Sequence, residues 1–394
     1  MESADKNFMR RALELAARGR GSVEPNPMVG AVVVRDDQIV GEGSHQRFGG
    51  PHAEIFALDE AGENANGATL YVTLEPCCHH GKTPPCTDRI LAAGIRRVVM
   101  AMRDPFPAVA GKGVEFLQRH GKEIVVGCLE QESRQLNAPY LTLLDKGRPF
   151  IHLKWAMSLD GRTATTTGDS KWITGPLARE HGHQFRGLVD GILVGIGTAM
   201  ADDPLLTPRL PGDESPRRVP VRIVLDSRGR LRSDSQLVQT AKVFPTLVAL
   251  TNIARPADVA RLSSLGCECI VFRPDADGRV PLVDLAGVLG SRKMTHLLVE
   301  GGSSTIGSFV DEGLVDSLRI YVAPMVMGGA GATPAVAGIG WPTLADSLRF
   351  QFEPPVSVGP DLFLAGSVVN RVQESLPTSE DPTNPFSARR SRLH

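Results

Sequence analysis

Three potential metal ligands in the first quarter of the chain constrain this sequence more than any other feature. They are His52, Cys77 and Cys86, and Glu54 lies two residues after the histidine. One imidazole and two thiolates can hold Zn²⁺ and leave a fourth position for water, which is the composition of a catalytic zinc site. Zinc lowers the pKa of such a water toward neutrality. Glu54 can then carry a proton to a leaving amine, so the pattern predicts zinc-dependent hydrolysis.

The spacing of the cysteines departs from the short signature of zinc-dependent nucleobase deaminases, in which H-x-E precedes P-C-x-x-C. Eight residues separate Cys77 from Cys86, and the longer loop ends in two prolines that stiffen the return of the second sulfur. His52 and Glu54 open one apolar-periodic run, and Cys86 precedes another. Both ligands are therefore predicted at helix starts, where the helix dipole favours an anion.

A closed structural zinc site is the alternative interpretation of these cysteines. It would use Cys77, Cys78, Cys86 and a histidine, whereas structural sites usually pair cysteines two to four residues apart. Adjacent cysteines suit that geometry poorly, and Glu54 would have no role. The two histidines that follow Cys78 leave the ligand set open by composition alone. Cys78 itself fits better as a loop residue near the pocket.

Length and composition are those of an ordinary globular protein. The 394 residues predict two domains, or three small ones, and 42% are hydrophobic and 22% charged. A net charge of −1 gives no electrostatic case for binding nucleic acid or a membrane. No apolar run is long enough to span a bilayer, and the N-terminal residues lack the apolar core of a signal peptide. Six cysteines, three of them in the ligand cluster, fit a reducing cytosol. We therefore predict a cytoplasmic protein.

Strand and helix patterns alternate along both halves of the chain, which predicts an α/β architecture with helices on both faces of a sheet. We predict a zinc-dependent deaminase domain over residues 1–127, a helical linker over 128–148 and a second domain over 149–372. The remaining residues, 373–394, are rich in disorder-prone residue types and are predicted to be an unstructured tail.

The strongest signal in the second half is an apolar strand at 297–299 that runs into Glu300-Gly301-Gly302 and then a helical pattern. Backbone amides at such a helix start can bind phosphate without a basic side chain. A second glycine turn, 195–198, is equally compatible with a cofactor turn or with a tight strand-to-helix connection. Polar residues gathered at other strand ends strengthen the prediction of a phosphorylated ligand and a dinucleotide.

Taken together, these residues resemble the bifunctional riboflavin-biosynthesis deaminase/reductase family. The N-terminal half matches its deaminase domain at Pro25-Asn-Pro-Met-Val-Gly30, at His52-Ala-Glu54 and at the run 75–86, whose long cysteine spacing is similar to the family's own loop. The second half resembles its reductase domain at 154–161, 170–174, 195–209 and 300–302. The resemblance covers about residues 5–371. Cys78 stands where a serine is expected in much of the family.

The resemblance implies a cytidine-deaminase-like three-layer α/β/α domain followed by a dihydrofolate-reductase-like α/β domain. It also implies one Zn²⁺ per chain, NADPH, a phosphorylated pyrimidine substrate and a homo-oligomer formed through the reductase domain. The first reaction would remove the 2-amino group of 2,5-diamino-6-ribosylamino-4(3H)-pyrimidinone 5′-phosphate by hydrolysis. The second would use NADPH to reduce the ribosyl group to a ribityl group.

The resemblance also implies two sets of contacts in the reductase. The residues expected to face NADPH are Ala156, Trp172, Thr198, Asp202, Ser227 and the turn Gly302, Ser303, Ser304, Thr305, Ile306, Gly307 and Ser308. Those expected to face the substrate are Ser170, Arg186, Leu206, Arg209 and Glu300, to which we add Asn26 in the deaminase half and Lys154 as further candidates. Arg186 and Arg209 suit a 5′-phosphate because charge-assisted hydrogen bonds to phosphate are strong.

Two other functions compete with this interpretation. A nucleic-acid-editing deaminase fused to an accessory domain would use the same H-x-E chemistry, but the chain has no basic surplus and only 5% aromatic residues for stacking on bases. A noncatalytic zinc-stabilised binding module would unfold without zinc and would never release ammonia.

Overall fold

The structure is a computed structural model that describes residues 3–79, 84–212 and 215–369. The tail predicted over 373–394 lies outside the described residues. No helix in the described part of the chain combines the length and the apolar character needed to cross a bilayer.

The first unit is a mixed five-stranded sheet between two layers of helices. Its elements are α1 (Ser3–Ala17), β1 (Gly30–Arg35), β2 (Gln38–Ser44), α2 (Ala53–Ala61), a 3₁₀ turn (Gly62–Ala65), β3 (Thr69–Val72), α3 (Cys86–Ala92), β4 (Arg97–Met100), α4 (Lys112–Arg119) and β5 (Glu123–Val126). The strand order is β2-β1-β3-β4-β5. The pairs β2-β1 and β1-β3 are antiparallel, and β3-β4 and β4-β5 are parallel.

Alternation of side chains along the strands explains the three layers. Val32 and Val34 of β1 face α1 and pack against Met9, whereas Ala31 and Val33 face the opposite side and pack with α2, α3 and α4. Successive strand residues point to opposite faces, so a strand that is apolar at every position must be covered on both.

Two further helices, α5 (Glu130–Leu136) and α6 (Ala138–Lys146), occupy the predicted linker. They rest on the first unit. The Ser133 hydroxyl donates to the carbonyl of Thr73 at 2.7 Å. The Asn137 side chain accepts from the Met28 amide at 2.8 Å and donates to the Met28 carbonyl at 3.0 Å. These contacts fix the segment just before β1.

The second unit contains a ten-stranded sheet in the order β11-β10-β9-β8-β12-β6-β13-β17-β15, with β16 also paired to β17. Its strands and helices are β6 (Phe150–Ser158), β7 (Arg162–Ala164), α7 (Pro176–Arg186), β8 (Gly191–Gly195), α8 (Ile196–Asp202), β9 (Val221–Leu225), α9 (Gln236–Gln239), β10 (Thr246–Thr251), α10 (Pro256–Ser264), β11 (Glu268–Phe272), α11 (Leu282–Ser291), β12 (His296–Val299), α12 (Ser303–Asp311), β13 (Ser317–Ala323), β14 (Thr333–Pro334), β15 (Phe350–Phe352), β16 (Val356–Val358) and β17 (Asp361–Val368).

From β11 to β13 along the sheet order, each strand is parallel to its neighbours. Strand β17 is antiparallel to β13, β15 and β16. Strand β12 lies between β8 and β6, although it follows both in sequence. Ligands of open α/β sheets bind beyond the carboxyl ends of strands at such a change of order. The topology therefore places the functional edge at the ends of β6, β8, β9 and β12.

Most strongly patterned elements were predicted correctly from the sequence. The sequence pattern predicts strands at 246–251, 268–272 and 296–299 and a helix at 282–291, and the structure has all four elements with these bounds. The amphipathic pattern predicts a first helix over residues 7–19, whereas the helix spans 3–17. It ends earlier than predicted because Gly19 and Gly21 follow it, and Gly21 has a φ of 78°. The turn expected at 195–198 is the start of α8, and the strands β7 and β14 to β17 were not predicted.

Candidate active sites

The three predicted metal ligands converge on one point. His52 precedes the first residue of α2, and Cys86 begins α3, so the two helix starts face each other at the end of β3. The His52 Nδ1 atom lies 3.2 Å from Sγ of Cys86 and 3.5 Å from Sγ of Cys77. The Cys86 amide donates to Sγ of Cys77 at 3.3 Å. All three ligand atoms lie within 4.8 Å of one another.

The chemistry of this donor set fits zinc, since one nitrogen and two sulfurs are ligands that Zn²⁺ prefers. Hydrogen bonding from Cys86 and then from His52 lowers the pKa of Cys77 to about 4. Cys78 is not part of the cluster, and burial raises the pKa of its thiol. Among the described residues, three side chains form the cluster, as an open catalytic site requires and a four-ligand structural site does not.

Glu54 lies beside the ligands without joining them. Its side chain is 3% exposed, and burial raises the pKa of the carboxyl. The Oε2 atom is buried and has no hydrogen-bond partner within the described protein. A buried polar atom without a partner is costly. Glu54 therefore has the free acceptor and the location that a proton carrier at this site needs.

Asn26 reaches the same site through a residue that the sequence interpretation missed. Its Nδ2 atom lies 3.3 Å from Nε2 of His45, whose Nδ1 atom lies 2.9 Å from the carbonyl oxygen of Pro51. A donor at Nδ1 leaves Nε2 free to accept from Asn26. The rings of His45 and His52 meet edge to face with 5.6 Å between centroids. His45 follows strand β2 in an irregular segment, so no periodicity or motif marked it.

In the second unit, the two glycine turns predicted from the sequence lie side by side. The Gly195 amide donates to the carbonyl of Gly301 at 3.0 Å, and the Glu300 amide donates to Leu193 at 2.9 Å. A Cβ atom on Gly195 would lie only 2.3 Å from Oγ1 of Thr305. A larger residue would push the turns apart, so glycine is required for this close approach.

The paired turns form a cradle with unused hydrogen-bonding capacity. Ser303 begins α12, and its Oγ atom is buried and has no partner among the described residues. A Cβ atom on Gly302 would lie 3.0 Å from Oγ1 of Thr198, which places Thr198 over the same turn. Free amides at the helix start and an unpartnered hydroxyl fit an anionic group such as a dinucleotide phosphate.

The other predicted cofactor residues lie at the same sheet edge or beside it. Ala156 is near the end of β6, and Ser227 follows β9 and accepts from the Val280 amide at 3.2 Å. Asp202 ends α8 and pairs with Lys171 at 3.4 Å, next to Trp172, whose side chain is 67% exposed.

Within α12 the predicted residues divide between two sides. Ile306 is buried, and a Cβ atom on Gly307 would clash with the Ala337 carbonyl, so these two positions face the protein interior. Ser308 donates through Oγ to the Ser304 carbonyl at 3.0 Å.

Among the predicted substrate residues, Arg186 and Glu300 are already paired. Their two hydrogen bonds measure 2.8 and 2.5 Å, and Arg186 also donates to the carbonyl of Thr207 at 3.3 Å. Burial opposes ionisation of Glu300, but Arg186 and then Lys154 lower its pKa to about 2. Burial also lowers the pKa of Lys154. This buried charge cluster fixes α7 against the end of β12.

Arg209 lines an open cleft of about 380 Å³ together with Trp172, Pro176, Arg179, Glu180, His183, Leu210 and Pro211. The Nη2 atom of Arg209 lies 2.9 Å from Nε2 of His183. Burial, followed by the charges of Arg186 and Arg209, lowers the pKa of His183 to about 4. The guanidinium of Arg179 lies 4.4 Å from the centre of the Trp172 ring. The sequence pattern predicts a helix over 176–187, and the spacing of Arg179 and His183 within it carries no functional signal.

The two remaining predicted substrate residues are Ser170 and Leu206. Leu206 is buried, with a φ of 52°, in the irregular segment between α8 and Arg209. Ser170 is half-buried and directly precedes Lys171 and Trp172.

A zinc-ligand cluster beside a buried glutamate, joined to a sheet with a paired glycine cradle, defines a two-domain deaminase and dinucleotide-dependent reductase. Residues 2–102 match the model of the cytidine and deoxycytidylate deaminase zinc-binding region, and residues 149–364 match the RibD C-terminal domain. The chain belongs to the RibD family of riboflavin biosynthesis proteins.

Curated relatives and solved structures match nearly the whole length of this chain. The riboflavin biosynthesis protein RibD of Bacillus amyloliquefaciens is 42% identical, over 91% of this chain and 95% of that one. The Escherichia coli K12 protein of the same name is also 42% identical, over 91% and 98%. The structure of Acinetobacter baumannii RibD (form 2) is 37% identical, covers 93% of this chain and 99% of its own, and superposes with a TM-score of 0.79. The predicted two-domain fold is confirmed.

Proposed function

We propose that this chain catalyses two consecutive steps on one phosphorylated pyrimidine. The first is hydrolytic deamination of 2,5-diamino-6-ribosylamino-4(3H)-pyrimidinone 5′-phosphate, and the second is NADPH-dependent reduction of its ribosyl group to a ribityl group. The observation that carries the proposal is the convergence of His52, Cys77 and Cys86 beside an unpartnered Glu54, in the same chain as the glycine cradle. A Thermotoga maritima structure described as a diaminohydroxyphosphoribosylaminopyrimidine deaminase/5-amino-6-(5-phosphoribosylamino)uracil reductase supports it, at 35% identity over 93% of this chain.

In the deaminase site, His52, Cys77 and Cys86 would hold Zn²⁺. When bound, the ion supplies a Lewis acid that lowers the pKa of water toward neutrality. Glu54 accepts a proton at its free Oε2 atom and returns it to the departing amine. Asn26, oriented by His45, presents an amide to the pyrimidine ring.

In the reductase site, the cradle of Gly302 to Ser308 with Thr198 would hold the phosphates of NADPH, and the dinucleotide supplies hydride when bound. The remaining proposed NADPH contacts are Ala156, Trp172, Asp202 and Ser227, and the basic residues beside Ser227, Arg228 and Arg230, suit a 2′-phosphate.

The proposed substrate contacts of the reductase are Lys154, Ser170, Arg186, Leu206, Arg209 and Glu300. Arg209 is the better candidate for the 5′-phosphate, because Arg186 is already neutralised by Glu300 whereas Arg209 faces the open cleft. The Lys154 side chain makes no hydrogen bond or ion pair to the described residues, so its amine can bind the sugar.

We also propose the domain division at residues 1–127, 128–148 and 149–372, a cytoplasmic location and a homo-oligomer through the reductase domain. All six cysteines lie in the described residues and are free, which fits a reducing compartment. Two apolar side chains, Phe352 of β15 and Leu362 of β17, lie on the same face of the sheet and are 49% and 39% exposed. Such a patch favours association of subunits, and sedimentation equilibrium tests this directly.

The decisive assay follows ammonia release and NADPH absorbance in one reaction with the diaminopyrimidine phosphate. We expect ammonia first and NADPH oxidation after it. A protein that oxidises NADPH no faster with the deaminated compound than without it would contradict the second activity, and absence of ammonia would contradict the first. Preferential, salt-sensitive turnover of a cytosine in RNA would instead favour the editing deaminase.

A further inference from the structure

The loop that carries Asn26 belongs to the first domain and contacts the second. This segment, the Asn26 loop, comprises residues 18–28 between α1 and β1. Its far end is fixed by the Asn137 side chain at Met28. Within the loop, Val23 packs against Ala16 of α1 and Leu136 of α5. The Ser22 carbonyl also accepts from the Phe48 amide at 3.1 Å. The loop itself is neither helix nor strand, and irregular segments of this kind open easily unless further contacts hold them.

Two consecutive arginines from the second domain supply those contacts. Arg217 donates through Nη1 to the carbonyl of Arg18 at 3.0 Å and to that of Arg20 at 2.7 Å. Arg218 donates through Nε to the Gly21 carbonyl at 3.2 Å and through Nη2 to the Glu24 carbonyl at 2.8 Å. Charge-assisted bonds from a planar guanidinium are strong and fix direction as well as distance.

Arg218 is also neutralised from both domains. Its guanidinium pairs with Glu24 of the Asn26 loop at 3.4 Å and with Asp190 of the second domain. The side chains of Arg218, Glu24 and Asp190 are 18%, 5% and 13% exposed, so solvent screens these pairs weakly.

Each of these carboxylates is anchored in its own domain. Glu24 accepts from the Gly21 amide at 2.8 Å, and Asp190 accepts from the amides of Thr295 and His296 at 2.7 and 2.9 Å. Glu24, Arg218 and Asp190 together form a clasp between the two domains, and both of its carboxylates are held in place by backbone amides.

The backbone around the clasp leaves little room for rearrangement. Gly21 has a φ of 78°, and a Cβ atom there would lie 2.9 Å from Cδ2 of Leu188 in the second domain. Asn26 follows Glu24 by two residues, so the position of Glu24 determines where the Asn26 amide lies relative to His45.

We propose that Arg218, although it belongs to the reductase domain, is a positioning residue of the deaminase: it holds the Asn26 loop in the conformation that presents Asn26 to the substrate. This inference rests on the proposed deaminase function. The reductase domain is then a structural component of the first active site. The Glu24–Arg218–Asp190 clasp affects deamination indirectly, by positioning the Asn26 loop.

The test uses the full-length, zinc-loaded protein and the variants Arg218→Ala and Arg218→Lys. Misplacement of a binding group lowers catalytic efficiency, so in Arg218→Ala we expect kcat/KM for deamination to fall about 10- to 100-fold, mainly through KM. Zinc content and reduction of the pre-deaminated substrate should stay at wild-type values. Lysine keeps the charge but not the fork, so Arg218→Lys should recover only part of the loss.

A second readout does not depend on activity. Hydrogen exchange of the amides of residues 18–28 should accelerate in Arg218→Ala and stay unchanged in Arg292→Ala, which removes a comparable two-bond pair with Glu268 on the surface of the same domain. Should Arg218→Ala prove insoluble, Glu24→Gln removes the carboxylate with which the loop pairs to Arg218 and carries the same expectations.

Two results would overturn the proposal. One is unchanged exchange over residues 18–28, and the other is an equal fall of deaminase and reductase efficiency, which would indicate a general structural role. A wild-type protein that releases no ammonia would refute the proposed deaminase, while the exchange comparison would still decide whether Arg218 holds the loop.

Discussion

The candidate deaminase site and the candidate reductase site are assembled in different ways. Apart from Asn26, the residues proposed for the first lie between positions 52 and 86, at two helix starts beside one strand. The residues proposed for the second are spread from 154 to 308 and meet because β12 inserts between β8 and β6. A compact motif fixes its own geometry, whereas a site built at a change of strand order depends on the fold of the whole domain. The two sites should therefore respond differently to single substitutions.

The largest expected effect is the loss of a metal ligand, which separates the two activities. Cys86→Ser replaces a thiolate that Zn²⁺ prefers by a hydroxyl that it binds poorly. We expect zinc content to drop and deamination to reach the uncatalysed background, while NADPH-dependent reduction of the deaminated compound continues. Metal analysis and the two separate assays check this, with Cys267→Ser, a buried cysteine outside the cluster, as the control. Parallel loss of both activities would show that the sites are not independent.

The buried pair in the reductase should matter for stability as well as for binding. Glu300→Gln leaves the Arg186 charge without its carboxylate, and breaking a buried pair from one side costs roughly 3 kcal/mol. The control is Glu268→Gln, which breaks a half-exposed surface pair with Arg292 and should cost no more than about 1 kcal/mol. Urea denaturation at neutral pH measures both. Equal destabilisation would mean that burial of the Arg186–Glu300 pair has no energetic consequence.

The pH dependence of the same pair has a defined sign. Because the pKa of Glu300 is lowered from 4.5 to about 2, the stabilisation from its charge is fully present above about pH 4.5. It is lost as the pH falls toward 2. The difference in unfolding free energy between wild type and Glu300→Gln should therefore be constant near neutrality and shrink in acid. A difference that grows on acidification would contradict the assignment.

A smaller effect is expected where the two glycine turns touch. Gly195→Ala would place a methyl group against the Thr305 hydroxyl, and overpacking of this kind costs roughly 1–3 kcal/mol. We expect a higher KM for NADPH with little change in deamination. Gly197→Ala is the matched control, since a Cβ atom there has no neighbour within 4 Å. If both variants bind NADPH equally well, the cradle is not where the cofactor lies.

The smallest of these effects is expected at the open cleft. Arg209→Met retains length but removes the charge proposed to meet the 5′-phosphate, and losing one charge-assisted contact should raise the KM of the reductase about tenfold. The activity on a substrate lacking the phosphate should be unaffected. Arg232→Met, which removes an exposed pair with Asp234 in the same domain, is the control. An unchanged KM in Arg209→Met would show that another residue binds the 5′-phosphate.

The contrast between the sites also explains what could be predicted from the sequence. His52, Cys77 and Cys86 could be predicted from residue type, from spacing and from the helix patterns that begin beside them, because metal coordination accepts few side chains. The ends of β10, β11 and β12 followed from apolar runs bounded by polar residues. These features are local, so a single sequence contains them.

Contacts between residues far apart in the sequence could not be predicted from local patterns. His45 contacts Asn26 and His52 only after β2 folds back, and His183 meets Arg209 across 26 residues of sequence. The strand β17 was missed because polar residues and a glycine interrupt its apolar positions and several positions are exposed, which weakens its pattern. The clasp at Arg218 likewise joins residues 194 positions apart. No local rule connects such pairs.

The deaminase mechanism depends on Glu54, which we propose carries the proton at a zinc site that it does not help to build. The most direct measurement is the zinc content and the ammonia release of purified Glu54→Gln on the diaminopyrimidine phosphate. We expect wild-type zinc content, a fall in deamination of about 10²- to 10⁴-fold and unchanged reduction of the deaminated compound. A zinc-replete variant that releases ammonia at the wild-type rate would contradict it.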